Sequence, residues 1–209
     1  MSPPPETPAR RKHWRRRALA ALLAPVGALL LYAGYTLYDA NFHVVVNGEA
    51  YRSGQMSAAQ FTHVIQTYGI KSILNLRGEN PGTAWHQAEI QTAAKWHVVH
   101  YDFGFGSGDE LTLAQMDKLV ALMRDAPKPI LIHCLGGADR SGLASSLFCY
   151  AIDGEKPGQA HRQLTFWDGH VPLIRPKVTA MDDSFWRYVS HHVAQTASDK
   201  STTNSVTRP

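Results

Sequence analysis

Cysteine is scarce in this sequence: Cys134 and Cys149 are the only two in 209 residues. That count argues against a disulfide scaffold or a cysteine-rich zinc site. A helix following the first would set the two several turns apart, too far for a bridge. No internal repeat is evident, which argues against a solenoid or propeller. Charge of either sign is missing from residues 18–38. A net charge of +4 is a hint of nucleic acid, but Arg10, Arg11, Lys12, Arg15, Arg16 and Arg17 sit together near the start and account for the excess. The remainder is balanced, so no nucleic-acid partner is expected. The length suits one domain plus extensions.

Residues 1–17 read as a disordered basic N-terminus, Pro-rich at first. The uncharged run 18–38 has about the 20 residues that a helix needs to cross a bilayer. Pro25, Gly27 and Gly34 are tolerated in such a helix, and Tyr32, Tyr35 and Tyr38 cluster at its far end as interfacial aromatics do. A cleaved signal peptide is the rival reading, but the run is long for one, and Tyr38-Asp39-Ala40 is a poor cleavage site. An uncleaved single-pass anchor is therefore expected. The basic block places the N-terminus in the cytoplasm and the rest of the chain on the opposite side, the periplasm if the source is a bacterium.

Residues 41–193 read as one globular domain. His43 to Val46, Asn47-Gly48 and Glu49 to Arg52 predict a hairpin with an Asn-Gly turn. Ser57 caps a helix with Phe61, Val64, Ile65 and Tyr68 on one face, ended by Gly69. Strands are expected at 71–76 and 96–103, with a helix over 83–94 between them. Residues 104–110, with three glycines, form a mobile-loop candidate. Thr112 and Gln115 form a capping box for a helix that buries Leu119, Val120 and Met123. Further helices are expected at 142–152, 157–166 and 182–193, and residues 194–209 as a disordered Ser/Thr-rich tail. Strands alternating with helices indicate an α/β fold, a central sheet of four to five strands covered by helices, preceded by the N-terminal transmembrane helix.

The stretch on which the chain is organised runs from Ile130 to Gly142: Ile-Leu-Ile-His-Cys-Leu-Gly-Gly-Ala-Asp-Arg-Ser-Gly. An apolar strand that opens into a glycine loop and then a helix N-terminus makes an anion site. A Cys in that field is expected as the thiolate, the nucleophilic form. An Arg six positions later can offer a planar fork of donors to a phosphoryl group. Cys149, on an apolar helix face, reads as an inert buried thiol.

His133, Cys134, Gly137, Arg140 and Ser141 resemble the signature of the cysteine-dependent phosphatases, His-Cys, five residues, Arg, then Ser or Thr. The resemblance extends over roughly residues 51–193. Tyr51 to Gln55 and Gly69 to Arg77 look like the opening of compact dual-specificity-type phosphatases, closest to bacterial tyrosine-phosphatase-like and atypical dual-specificity proteins. Asp139 immediately before Arg140 is similar to phosphatases acting on phosphoinositides. The mechanism the resemblance implies has two steps. Cys134 attacks phosphorus to give a phosphocysteine, which water hydrolyses. Backbone amides of Leu135, Gly136, Gly137, Ala138, Asp139 and Arg140, with the Arg140 guanidinium, hold the equatorial oxygens. His133 orders the loop, Ser141 offers its hydroxyl to the sulfur, and Gly136 and Gly137 allow angles and approaches that a side chain would obstruct. No metal or other cofactor is required by this chemistry.

A general acid must protonate the leaving oxygen, and no Trp-Pro-Asp tripeptide occurs to supply it. Asp109 is placed first, then Asp139 and Asp102. Against these roles, Asp109 could be a solvated loop residue, Asp102 a strand-end turn residue, and Asp139 a salt-bridge partner of Arg140. Arg52, Arg77, Arg162 and Arg175 could extend the phosphate-binding surface or make fold-stabilising pairs. His97 and His100 point to opposite faces of a strand and are not expected to share a metal. The function expected is a membrane-anchored phosphatase for a phosphorylated protein, as a tyrosine or dual-specificity phosphatase. The alternatives are a phosphatase for a phospholipid or phosphoinositide-type substrate and an inactive phosphate-binding module, the last opposed by the intact Cys134, Arg140 and Ser141.

Overall fold

The computed structural model describes residues 8–206, and these divide into two units between Asp39 and Ala40. The first holds one helix, α1 (Pro8–Tyr38), with Pro25 inside it. Its segment Leu19–Thr36 has a mean hydropathy of 1.7 and none of it is buried, so it is long and apolar enough to cross a membrane. Helical structure begins at Pro8, within the stretch expected to lack order. Residues 1–7 lie outside the described residues.

The second unit is built on a five-stranded sheet. β1 (His43–Val46) and β2 (Ala50–Ser53) form the antiparallel hairpin, Val44 opposite Tyr51, with a register shift before Val46. β3 (Ser72–Asn75), β4 (Val99–Asp102) and β5 (Ile130–His133) are parallel to β2. The order is β1-β2-β5-β3-β4, so the last strand in sequence is the central one. Register aligns Ser53, His133, Asn75 and Asp102 in one row across the carboxyl ends of four strands. That edge, at a point where the strand order switches, is where an open α/β sheet carries its ligand site.

Side-chain alternation divides the core into two layers. Ile73 and Leu131 face a cluster with Phe61, Val64 and Ile65 of α2 (Ala58–Tyr68) and Ala93 of α3 (Ala84–Lys95). Leu74, Ile130 and Ile132 face the other way. They pack with α4 (Leu113–Asp125), α5 (Asp139–Ala151) and the start of α7 (Thr179–Val206), through Leu119, Met123, Leu143, Leu147, Met181 and Phe185. α5 buries every residue from Ser141 to Cys149, as a helix enclosed on all sides does. The capping boxes at Ser57–Gln60 and Thr112–Gln115 both form, and Gly69 ends α2 at φ 66°.

Some boundaries differ from expectation. β4 starts at Val99 because Trp96 ends α3 and His97 turns at φ 56°. The helix expected over 157–166 breaks into α6 (Pro157–Ala160) and a 3-10 turn, His161–Gln163. The 3-10 turn closes with the Leu164 amide on the His161 carbonyl at 2.9 Å, and the Gln163 carbonyl accepts from Arg52. α5 begins at Asp139, three residues early, since the end of the ligand loop is already helical. α7 runs from Thr179 and continues through residues 194–206, which the sequence reading assigned to a disordered tail.

Candidate active site

Cys134 follows β5 directly, and its amide donates to the Ser53 carbonyl at 3.2 Å, adding one rung to the β2–β5 ladder. The sulfur is buried at the floor of the loop that follows. The carbonyls of that loop are engaged by groups outside it. Leu135 O accepts from the Gln55 amide at 3.0 Å and Gly136 O from Asn41 Nδ2 at 3.1 Å. Gly137 O and Ala138 O both accept from Arg52 Nη2, at 2.8 and 3.2 Å. A planar peptide whose oxygen is held outward turns its N–H the opposite way. The amides that follow these carbonyls therefore turn toward the inside of the loop, where the N-terminus of α5 adds its own unpaired N–H groups. An oxyanion held there faces donors fixed before it arrives.

Gly137 is needed for this path. It sits at φ 71°, and a Cβ there would lie 2.5 Å from the Gly54 nitrogen and 2.8 Å from the Ser53 carbonyl carbon. Gly136 has nothing within 4 Å of such an atom, so the expected steric need for glycine at both positions narrows to Gly137.

Arg140, in the first turn of α5, donates through Nη1 to the carbonyls of Leu76 (3.1 Å) and Phe105 (3.3 Å). One guanidinium nitrogen thus ties the ligand loop to the end of β3 and to residues 104–110. Ser141 Oγ lies 3.5 Å from Cys134 Sγ, close enough to donate to a thiolate.

Two buried networks brace the loop. In the first, Arg52 is fully buried. Besides the two loop carbonyls it reaches Gln163 O, Gln163 Oε1 (3.2 Å) and Asp168 Oδ2 (3.3 Å). Burial disfavours its charge and pushes the guanidinium down, and Asp168, then Cys134 and Asp139, offset only part of that penalty. In the second, Glu89 Oε1 accepts from both His133 Nε2 and His100 Nε2 at 2.8 Å, and Gln55 Nε2 donates to Oε2 at 2.8 Å. Burial alone would raise the Glu89 carboxyl, but the His100, His133 and Gln55 bonds overcome it and hold the group well below the usual range. An ionised carboxylate only accepts, so Nε2 of each histidine is the donor. Gln55 Oε1 in turn accepts from Arg77 (2.7 Å), whose guanidinium lies 3.5 Å from the Trp85 ring centroid. Burial, and after it the charge of Arg140, push the Arg77 guanidinium down, so two cations share this side of the mouth.

The three carboxylates proposed as acid are differently placed. Asp139 is buried and doubly paired, to His170 Nδ1 at 2.8 Å and Arg175 Nη2 at 2.9 Å. Its partners are these two, not Arg140 as the sequence reading supposed. Asp102 accepts from Asn75 Nδ2 at 2.7 Å and lies 3.3 Å from His86 Nε2. Asp109 is exposed on the loop that Arg140 holds through Phe105, its carboxylate against Gly106 where a Cβ would lie 2.1 Å away. Among the described residues its carboxylate makes no hydrogen bond or ion pair. His86, His100 and Asp102 bring ligand atoms within 4.8 Å of one another, a spacing that a metal ion could bridge. His97 is not in that group. Cys149 is buried in α5, and burial pushes its thiol up to about 12, so it is unreactive at neutral pH.

Arg52 and Arg175 thus turn out as pairing residues around the loop. Asn41, Glu89, His170 and Asp168 were not anticipated. Nothing local marks them, since each acts from another part of the fold, Asn41 and His170 on the loop directly, Glu89 through His133 and Asp168 through Arg52.

Several solved structures share this fold. The core catalytic domain of the PP-IP phosphatase SIW14 from S. cerevisiae, solved with citrate, matches with a TM-score of 0.59 and 20% identity, over 77% of this chain and 93% of that one. P. aeruginosa TpbA matches at 0.51 and 17%, over 71% and 91%. PTPMT1 matches at 0.50 and 12%, over 73% and 99%. At these identities the likeness is one of fold. A search of curated protein sequences returned no match. Residues 32–156, more than half of the chain, match the tyrosine phosphatase family. The chain belongs to the tyrosine phosphatase family, as a phosphatase that hydrolyses phosphate monoesters.

Proposed function

We propose that the protein is a membrane-anchored phosphatase that works through a phosphocysteine on Cys134, with a phosphorylated tyrosine, serine or threonine of a protein as the first substrate class. The observation that carries the mechanism is the outward capture of the loop carbonyls at residues 135–138 around a buried sulfur. Cys134 Sγ attacks phosphorus in line with the ester oxygen. The P–O bond breaks as the S–P bond forms, and the departing oxygen takes a proton from Asp109. The loop amides and Arg140 stabilise the charge spread over the equatorial oxygens. In the second step water attacks the phosphocysteine, gives its proton to the Asp109 carboxylate, and releases phosphate and thiolate. Ser141 Oγ, donating to the sulfur, eases its departure. Asp109 is assigned the acid role because the carboxylates of Asp139 and Asp102 are already engaged. His133 and Glu89 position the loop.

The anchor is α1, with the basic N-terminal residues on the cytoplasmic side and the catalytic unit beyond the membrane. A lipid phosphomonoester is the second substrate reading, favoured by the apolar rim described below. The test uses the full chain in detergent micelles with an aryl phosphate and no added metal. Steady hydrolysis is expected, together with a burst of phenol equal to the enzyme present when breakdown is slower than attack. Cys134→Ser should abolish both, and turnover by that variant would overturn the mechanism.

A further inference from the structure

Residues 164–178 form one side of the catalytic mouth. The Asp168 carbonyl accepts from Asn41 Nδ2 at 2.8 Å, the same nitrogen that holds Gly136 O. A Cβ on Gly169 would lie 3.5 Å from Ala138 Cβ, and His170 and Arg175 both bind Asp139 of the loop. The far end of the segment reaches the other loop, since a Cβ on Gly108 would lie 3.3 Å from Lys177 Cβ.

This rim exposes large apolar side chains. Leu173 is 94% exposed, Ile174 75%, Trp167 70% and Phe166 61%, and Leu135 of the phosphate loop itself is 61% exposed. Arg162 on one side and Arg175 and Lys177 on the other, also exposed, flank them in sequence, Arg175 with one nitrogen on Asp139. Apolar residues flanked by cations suit an anionic lipid surface, where the rings and chains enter the headgroup region and the cations meet phosphate.

Chain connectivity says why a bilayer should be the occupant. The apolar helix ends at Tyr38, and Asn41 is already bonded to the phosphate loop and to the rim. Three residues span at most about 11 Å, roughly the depth of a headgroup layer plus a few ångströms. The chain enters the catalytic unit at the mouth, not on the opposite face.

Resting on the membrane-anchored reading above, we infer that the rim of Phe166, Trp167, Leu173, Ile174 and Leu135 seats on the anionic bilayer that holds α1, so that the mouth works on phosphomonoesters presented at the lipid surface. Substrate then approaches along the membrane plane, and the loop amides meet a phosphate that projects from the headgroup layer.

The test reconstitutes the full chain in vesicles of phosphatidylcholine and phosphatidylglycerol, with two substrates bearing the same aryl phosphate. One is soluble and the other carries an alkyl tail that holds it in the vesicle. The double substitution Leu173→Ser, Ile174→Ser should lower kcat/KM on the tailed substrate at least tenfold and leave the soluble substrate within twofold. Brominated lipid should quench the wild-type tryptophan emission more than that of Trp167→Tyr. Equal quenching, or an unchanged ratio of the two substrates, would overturn the inference. So would a concentration-dependent dimer in micelles that the double substitution abolishes without any lipid quenching, which would make the rim an interface between copies. A wild-type chain that carbonate washes strip from vesicles would instead overturn the anchor, and one inactive on the soluble substrate would overturn the mechanism.

Discussion

Arg52→Lys keeps the buried charge and removes the fork. The guanidinium serves two groups of acceptors at once: Nη2 holds Gly137 O and Ala138 O, while Nη1 reaches Gln163 and Asp168. A single ammonium nitrogen can stay with one group only, because the other lies across the width of the guanidinium. If it stays with Asp168, the buried Gly137 O loses its donor and Ala138 O keeps only the Gly142 amide. At about 1–3 kcal/mol for an unsatisfied buried acceptor, partly relieved by relaxation, the loss is about 2 kcal/mol. That is a large part of the roughly 5–15 kcal/mol by which a domain is stable. The effect on the site follows from the same bonds. A freed carbonyl can rotate inward and put an oxygen where an amide faced the oxyanion. One lost charge-assisted bond, about 1.5–3 kcal/mol, weakens oxyanion binding roughly tenfold to a hundredfold. Inhibition by vanadate measures this directly, at a temperature well below the thermal midpoint so that folding does not intrude. Arg52→Met should be worse on both counts, since it also removes the cation that attracts Cys134 and leaves Asp168 without its charge partner. If Arg52→Lys binds vanadate within twofold of wild type, the carbonyl-capture account of the loop is wrong.

Asp109→Asn should lower kcat on alkyl phosphates by about 10²–10⁴ and remove the alkaline limb of the pH–rate profile, while Asp139→Asn and Asp102→Asn keep that limb; an intact limb in Asp109→Asn would move the acid elsewhere. Burial works against a charged His170, yet its bonds to Asp139 and Asp182 hold it up at about 9. This folded value lies above the unfolded one of about 6.5, so the stabilisation is complete below pH 6.5 and is lost as pH rises through 9. Its size is at most about 3 kcal/mol. Thermal midpoints should fall across that window in the wild type and not in His170→Gln; equal slopes for the two would refute the assignment. Asp182, whose burial penalty is overcome by the His170 and His161 bonds, is depressed. It acts in the opposite sense, its contribution present above about pH 4 and lost as pH falls.

What the sequence shows of this site is what is local to the signature. The β5 apolar run, the glycines, Arg140 and the start of α5 lie within thirteen residues, and their chemistry depends on spacing alone. The hairpin at Asn47-Gly48 and the caps at Ser57 and Thr112 are legible for the same reason: each is a bond between near neighbours. Asn41 reaches Gly136 from 95 residues away and Arg52 reaches Gly137 from 85. Glu89 meets His133 only because β5 lies between β2 and β3, an order that no periodicity reveals. The sequence leaves Arg52 a cation that could either bind phosphate or pair. In isolation a buried Arg and a surface Arg read alike, and only the fold tells which carbonyls it meets. The Gln163 carbonyl that Arg52 also holds belongs to the same class, 111 residues away in sequence.

Asp139 poses an electrostatic problem that its partners resolve. A carboxylate one residue before the phosphate-binding Arg140 repels the anion that the loop is built to hold. Two unit charges about 8 Å apart at an effective dielectric of 20 cost about 2 kcal/mol, and a phosphate dianion doubles that. Arg175 sits on one oxygen and His170 on the other, and Asp182 balances the far side of the His170 ring. The four side chains sum to zero charge only while that ring is an imidazolium, which donation from both its nitrogens requires. The acid inside the loop is thereby made into an anchor for the rim segment, without spoiling the positive field of the site. When His170 loses its proton the cluster becomes net negative beside the bound phosphate. The same ring that holds residues 164–178 to the loop thus also keeps the loop fit for an anion.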